Sequence, residues 1–258
     1  MPELCIFCDN NSGSREHLWP KWIHERKDFG PLRLQRGTSP EIVVPDPEQK
    51  VRTPCGTCNN GWMSDLETEN IPTIGCMFQD LSIPLNGAQQ HSAAAWAVKT
   101  TMISDSTKGR NAPNRFYSKA ECVNLRTGRT IPDRTRIWIG RMSESHLGAF
   151  GTDFTILSAA ARIGMGSVGT IVMGHFAVQV VTLHINAENA ANDFPVQPKP
   201  GDWDNMLVRV WPKEREAVTW PPNVSFTNGG PLGIAYLMDR WRVGDRRNLI
   251  ASSEASVK

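Results

Sequence analysis

Four of the six cysteines fall into two Cys-x-x-Cys pairs, Cys5/Cys8 and Cys55/Cys58. Such a pair presents two sulfurs from one tight turn, and Zn²⁺ favours four thiolate or imidazole ligands in a tetrahedron. The spacing therefore fits one structural Zn²⁺ held by Cys5, Cys8, Cys55 and Cys58, with Gly56 suited to the second turn. A dithiol redox centre would need a βαβ context that the sequence does not offer. Four unrelated cysteines are the remaining alternative. Cys76 and Cys122 stand alone and read as plain buried residues.

Between the pairs lies Glu16-His17-Leu18-Trp19-Pro20, and directly after Cys58 come Asn59 and Asn60. Together with the cysteines, this set resembles the zinc-stapled members of the HNH endonuclease family. They combine a Cys-x-x-Cys, an acidic-His-x-x-Pro segment, and a second Cys-x-x-Cys followed by His or Asn. The resemblance extends over residues 5–67. It includes Ser14-Arg15-Glu16-His17, Pro20-Lys21-Trp22 and the run from Cys55 through Asn59-Asn60-Gly61-Trp62-Met63 to Glu67. It implies a ββα-metal core of treble-clef type, with His17 on the strand side and Asn59 or Asn60 at the helix start. Residues 18–54 hold no Asn to match the family's middle position, and Trp62 stands where many relatives carry Lys.

Phosphodiester hydrolysis needs a deprotonated water and relief of charge on the phosphate. A histidine, changing charge near neutral pH, suits the first task. A divalent ion such as Mg²⁺ or Mn²⁺ suits the second, held by oxygen ligands. In the implied centre His17 is the general base, and Glu16 with Asn59 or Asn60 binds the catalytic metal. On an extended segment, though, Glu16 and His17 point to opposite sides. A bend must bring them together, or Glu16 serves another purpose. Arg15, Lys21, Arg26 and Lys27 flank His17 and are placed for substrate phosphates. The resemblance implies DNA rather than RNA as the nucleic acid partner. The competing class is a non-catalytic protein whose zinc module scaffolds a nucleic-acid or protein interface.

The elements that must position these residues are expected as follows. Leu4–Phe7 reads as a short strand running into a turn at Asp9–Gly13. Pro20 is tolerated only at the start of a helical turn. Gly30 to Thr53, with a Val/Ile patch at 42–44, suits strands joined by loops. Asn59 or Asn60 is expected to cap a helix containing Trp62, Met63, Leu66 and Glu67. Residues 71–90 are spaced by Pro and Gly and read as a connector. His91–Ser104 is the clearest helix, with Ala94, Val98 and Met102 on one stripe. Beyond it the chain reads as mainly β, with strands at Arg136–Met142, Thr170–Ile185, Met206–Trp211 and Trp220–Phe226. Gly164-Met165-Gly166-Ser167-Val168-Gly169 matches a dinucleotide fingerprint by letter. That motif must open a helix, and here a strand follows, so it reads as a glycine turn. The expected fold is α+β: a zinc module at 1–70, a connector at 71–90, an accessory domain of α+β, mainly β type at 91–250, and a loose tail at 251–258.

Composition is ordinary for a globular chain, with 40% hydrophobic and 21% charged residues and a net charge of +2. Charge is uneven: Lys108, Arg110, Arg115, Lys119, Arg126, Arg129, Arg134, Arg136 and Arg141 are offset by Glu121 and Asp133. The stretch could track a phosphate backbone or form a solvated basic face. No apolar run approaches the roughly 20 residues that span a bilayer, and the N-terminus lacks a secretory pattern. The expected location is cytoplasmic, with no membrane partner. The accessory domain is expected to select substrate, recruit a protein partner or mediate homo-oligomerisation.

Overall fold

The computed structural model describes residues 3–30, 32–34, 42–44, 50–107, 115–158, 161–187, 196–197, 205–226, 242–243 and 249–252. The N-terminal strand-like piece reduces to a single bridge between Leu4 and Asn11. The chain then forms β1 (Glu16–His17), α1 (Lys21–Arg26), β2 (Leu32–Leu34), β3 (Ile42–Val44) and β4 (Lys50–Val51). β1 pairs antiparallel with β4, Glu16 opposite Val51 and His17 opposite Lys50, while β2 pairs with β3. Pro20 is the residue preceding α1, where its fixed φ and missing N–H cost nothing.

The second cysteine pair opens the next helix. α2 (Gly56–Cys58) is capped by Cys55, whose sulfur accepts the Cys58 N–H at 3.4 Å. The cap is thus the thiol, not Asn59 or Asn60 as expected. The chain continues through a wide π-helical turn at Asn59–Met63, kinked at Gly61, into α3 (Ser64–Phe78). The segment read as a connector is structured throughout. α3 passes through Pro72, then come β5 (Ile83–Asn86) and α4 (Gly87–Asp105). Burial of Leu66, Ile74, Met77 and Phe78 on α3 offsets the one hydrogen bond that Pro72 removes. α4 starts earlier than its apolar stripe because Asn86 and Gln89 form a capping box. Its Ala93–Val98 run is buried on every side.

Next come α5 (Lys119–Gly128), β6 (Thr135–Ser158), β7 (Ala161–Ile185), β8 (Val196–Gln197), β9 (Leu207–Trp211), β10 (Ala217–Trp220), β11 (Arg242–Val243) and β12 (Leu249–Ser252). α5 was not expected; its sequence signal is the Ser118/Glu121 capping box inside the basic stretch. β6 and β7 form one long antiparallel hairpin, broken in register between Arg141 and His146. β9 and β12 add to β6, β10 pairs with β5, and β11 with β8. The strand expected at Trp220–Phe226 lies earlier, at Ala217–Trp220, and Phe226 only bridges Met142. Of the expected tail, Ala251 and Ser252 belong to β12; the rest, like Lys108 and Arg110, lies outside the described residues.

β7 doubles back at Gly174, whose φ of +60 favours glycine. The Asn186 N–H reaches the Ile163 carbonyl at 2.8 Å, and the Gln179 amide reaches the Thr170 hydroxyl at 3.1 Å. The glycines at 164, 166 and 169 are therefore inside a strand, not in a turn before one. They permit close approach. A β-carbon on Gly169 would lie 2.7 Å from Thr101 of α4, and one on Gly166 would collide with the Phe154 ring. One continuous core runs from Cys5, Phe7 and Ile23 through Leu66, Ile74 and Trp96 to Ile139, Val180 and Trp220. A second cluster, including Trp138, Ile156, Ile163 and Leu183, covers another part of the hairpin. No helix among the described residues is long and apolar enough to cross a membrane.

Candidate metal centre and the adjoining strand

Two turns converge on one buried cluster. The first is closed by the Cys5 N–H to the Asn10 carbonyl at 2.8 Å. The second is the capped start of α2. They are tied by the Ile6 N–H to the Thr53 carbonyl, and by Gly13 and Ser14 N–H groups to the Pro54 carbonyl. All four sulfurs of Cys5, Cys8, Cys55 and Cys58 lie within 4.8 Å of one another. Cys8 Sγ is 3.5 Å from Cys55 Sγ and 3.6 Å from Cys58 Sγ. A tetrahedral zinc with bonds near 2.3 Å would set sulfurs roughly 3.8 Å apart, so the donor set fits the metal. Backbone N–H groups of Phe7 and Cys58 point at Cys5 Sγ and Cys55 Sγ, each at 3.4 Å, and the Asn10 amide approaches Cys55 Sγ at 3.9 Å.

The thiols do not ionise alike. Burial pushes Cys55 up, but hydrogen bonds from the Cys58 N–H and the neighbouring thiols outweigh it and hold it at about 6. Burial and adjacent sulfurs push Cys58 well above its ordinary range, and burial also raises Cys5. Four crowded thiols cannot all become thiolates without a cation among them. Loading a metal here must therefore release protons.

On β1 the alternation of the extended chain decides the outcome. Glu16 is buried and turns inward, whereas His17 is half-buried. The Glu16 carboxylate lies 3.5 Å from the ammonium of Lys99 on α4, and Lys99 also bonds Glu67 of α3 at 2.7 Å. Burial raises Glu16 against the attraction of Lys99. Burial also acts to lower Lys99, but Glu67 and Glu16 outweigh it and hold the ammonium above the ordinary lysine value. These two shifts pull apart: Lys99 is held charged, while Glu16 is discouraged from charging. The geometry resolves them, because Glu67 has the closer contact and the better solvent access, with its side chain 22% exposed against 9% for Glu16. Lys99 and Glu67 are thus the firmer pair, and Glu16 is the weaker third member.

Asn59 is half-buried and its amide nitrogen donates to the Ser14 hydroxyl at 2.8 Å, tying the helix start to the segment before β1; Asn60 is exposed. Arg15, Lys21, Arg26 and Lys27 are all exposed. Lys21 pairs with Glu25 at 3.5 Å, Arg26 lies over Trp22 and Lys27 over Phe29. Arg15 therefore directly precedes β1, and the other three lie along α1 and its exit. Sequence reasoning missed Lys99, whose signal was a single charge inside the otherwise apolar run of α4. It also missed Lys119, whose ammonium reaches the carbonyls of Cys5 and Cys8.

The site and fold define a chain of mixed helix and strand with a buried four-cysteine cluster able to hold one zinc ion near its N-terminus. Among the described residues it is the one cluster of three or more His, Cys, Asp or Glu side chains that could hold a metal. No family model, no curated protein and no solved structure matches the chain.

Proposed function

We propose that the chain is a zinc-stapled nuclease of HNH type, of treble-clef architecture in its first part, cleaving phosphodiester bonds with His17 as general base. The observation that carries this reading is the strand–strand–helix arrangement around the cysteine cluster. β1 bearing His17 pairs with β4, and the Asn59–Ser14 bond joins that segment to the helix the cysteines open. In this reading zinc is structural, and His17 takes the proton of the attacking water. Asn59 or Asn60 offers an amide oxygen suited to Mg²⁺ or Mn²⁺. When bound there, the ion supplies charge relief on the phosphate and the leaving oxygen. The Glu16 carboxylate does not fit as a ligand of that ion while Lys99 holds it, so no step is assigned to it. Arg15, Lys21, Arg26 and Lys27 would receive substrate phosphates, and DNA is favoured over RNA on the resemblance alone.

The inward turn of Glu16 also favours a second reading, a non-catalytic zinc-scaffolded binding protein. One experiment separates the two. Purified protein and His17→Ala are incubated with plasmid DNA and Mg²⁺ or Mn²⁺. A nuclease gives metal-dependent nicking or linearisation that falls about 100-fold or more in the variant, the ordinary contribution of a general base. Equal background in both proteins sinks the catalytic reading.

A further inference from the structure

Lys119, the first residue of α5, sits outside both the cysteine set and the His17 strand. Its ammonium donates to the Cys5 carbonyl at 2.7 Å and to the Cys8 carbonyl at 2.5 Å, and lies 3.5 Å from the Asp9 carboxylate. It therefore closes the first cysteine turn from a residue more than a hundred positions away. The position of Lys119 is itself fixed. α5 starts on a capping box in which the Ser118 hydroxyl accepts the Glu121 N–H, and Glu121 also takes His184 of β7 at 2.8 Å.

The chemistry of a zinc tetrathiolate explains what such a residue can do. Four thiolates around one Zn²⁺ leave a net charge of about −2. All four cysteines here are buried, so water does little to offset that charge. A cation fixed on the backbone of two ligand residues offsets it and also holds both sulfurs in register. We propose that Lys119 is a positioning residue of the zinc centre, which slows metal loss by compensating the tetrathiolate charge and by locking the Cys5–Cys8 turn. The proposal rests on the zinc reading but not on nuclease activity.

The test measures transfer of zinc from the loaded, full-length protein to a chromogenic pyridylazo chelator. Lys119→Met should release zinc about tenfold faster, the lower end of what outer-shell partners contribute. Lys119→Arg, which keeps the charge, should stay near wild type. Ser118→Ala, which loosens the start of α5 but leaves the ammonium, should fall between wild type and Lys119→Met. Because the lysine side chain is 44% exposed, the gap between Lys119→Met and wild type should narrow as salt rises. Equal release from wild type and Lys119→Met overturns the proposal. So does release from Lys119→Arg as fast as from Lys119→Met, or a gap indifferent to salt. Purified protein that holds no zinc would overturn the zinc reading itself, an outcome distinct from the others because it appears before any variant is compared.

Discussion

Two buried polar clusters meet along the segment from Ser14 to Glu16, and they solve the same problem in opposite ways. The cysteine cluster gathers four thiols from two short turns, and the cation that could hold them as thiolates would come from outside. The Glu16–Lys99–Glu67 cluster gathers two carboxylates from β1 and α3 and carries its cation on α4. The first is therefore conditional on metal and on proton release, whereas the second is complete in the chain. The difference teaches where the fold is secure. β1 lies between a centre that would depend on a metal and a cluster whose firm pair, Lys99 and Glu67, joins α3 to α4 with Glu16 as its weaker third member.

The largest expected effect breaks the first cluster. Structural zinc contributes roughly 10 kcal/mol or more of apparent binding free energy that is also folding free energy. Chelation, or Cys55→Ser, should abolish hydrogen-exchange protection in the two cysteine turns and at β1 and β4. Amides of β6 and β7 such as Val178 and Val180, fully in the core, should keep theirs. Metal analysis of the wild type should give about one equivalent of zinc, lost in the variant. Protection in the cysteine turns that survives chelation would refute a metal-held module.

The second expectation breaks the internal cation. Lys99→Met leaves Glu16 and Glu67 facing each other without a counter-charge, a change that costs about 3–5 kcal/mol where one partner of a buried pair is removed. Urea denaturation should show that loss. The double variant Lys99→Met/Glu16→Gln should recover part of it, since Glu67 is the more exposed carboxylate. A Lys99→Met protein within about 1 kcal/mol of wild type would mean that the triad is not holding β1.

How much of this was legible in the sequence follows from the range of the interactions. The cysteine cluster was legible because metal chemistry demands particular residue types at particular short spacings, and neither depends on the rest of the fold. α4 was legible from its apolar stripe, although its start was set by the Asn86/Gln89 box rather than by hydrophobicity. α5 was hidden because its signal, Ser118 and Glu121, lay within a stretch dominated by charge. The folding-back of β7 was hidden for a different reason. Gly164, Gly166 and Gly169 match a loop motif by letter, but their use is to admit His184, Phe154 and Thr101, which arrive from elsewhere in the chain. Glu16 shows the same limit. Alternation along β1 was enough to say that it and His17 would part, but its partner Lys99 is distant in sequence and could not be named.

The smallest expected effect sharpens the comparison by asking whether Glu16 belongs to its cluster at a cost. Its carboxyl is raised above the ordinary value of 4.5, burial outweighing Lys99. The folded state then holds that proton more tightly than the unfolded chain does. Below the ordinary value both states are protonated, and Glu16→Gln changes little. As pH rises through it, the unfolded chain ionises first, so wild type loses stability until the folded carboxyl ionises as well. Lys99 works in the other direction and much higher: its stabilising contribution is complete below 10.5 and fades only as pH climbs through its raised folded value, so it does not mask the acidic window. Urea midpoints of wild type and Glu16→Gln should therefore coincide near about pH 4, and near about pH 7 the variant should be equal or more stable by about 1 kcal/mol or less. The opposite order at neutral pH, with Glu16→Gln clearly weaker, would show that attraction to Lys99 wins over burial. Glu16 would then be a full partner in the internal cluster, held by Lys99 as firmly as Glu67 is.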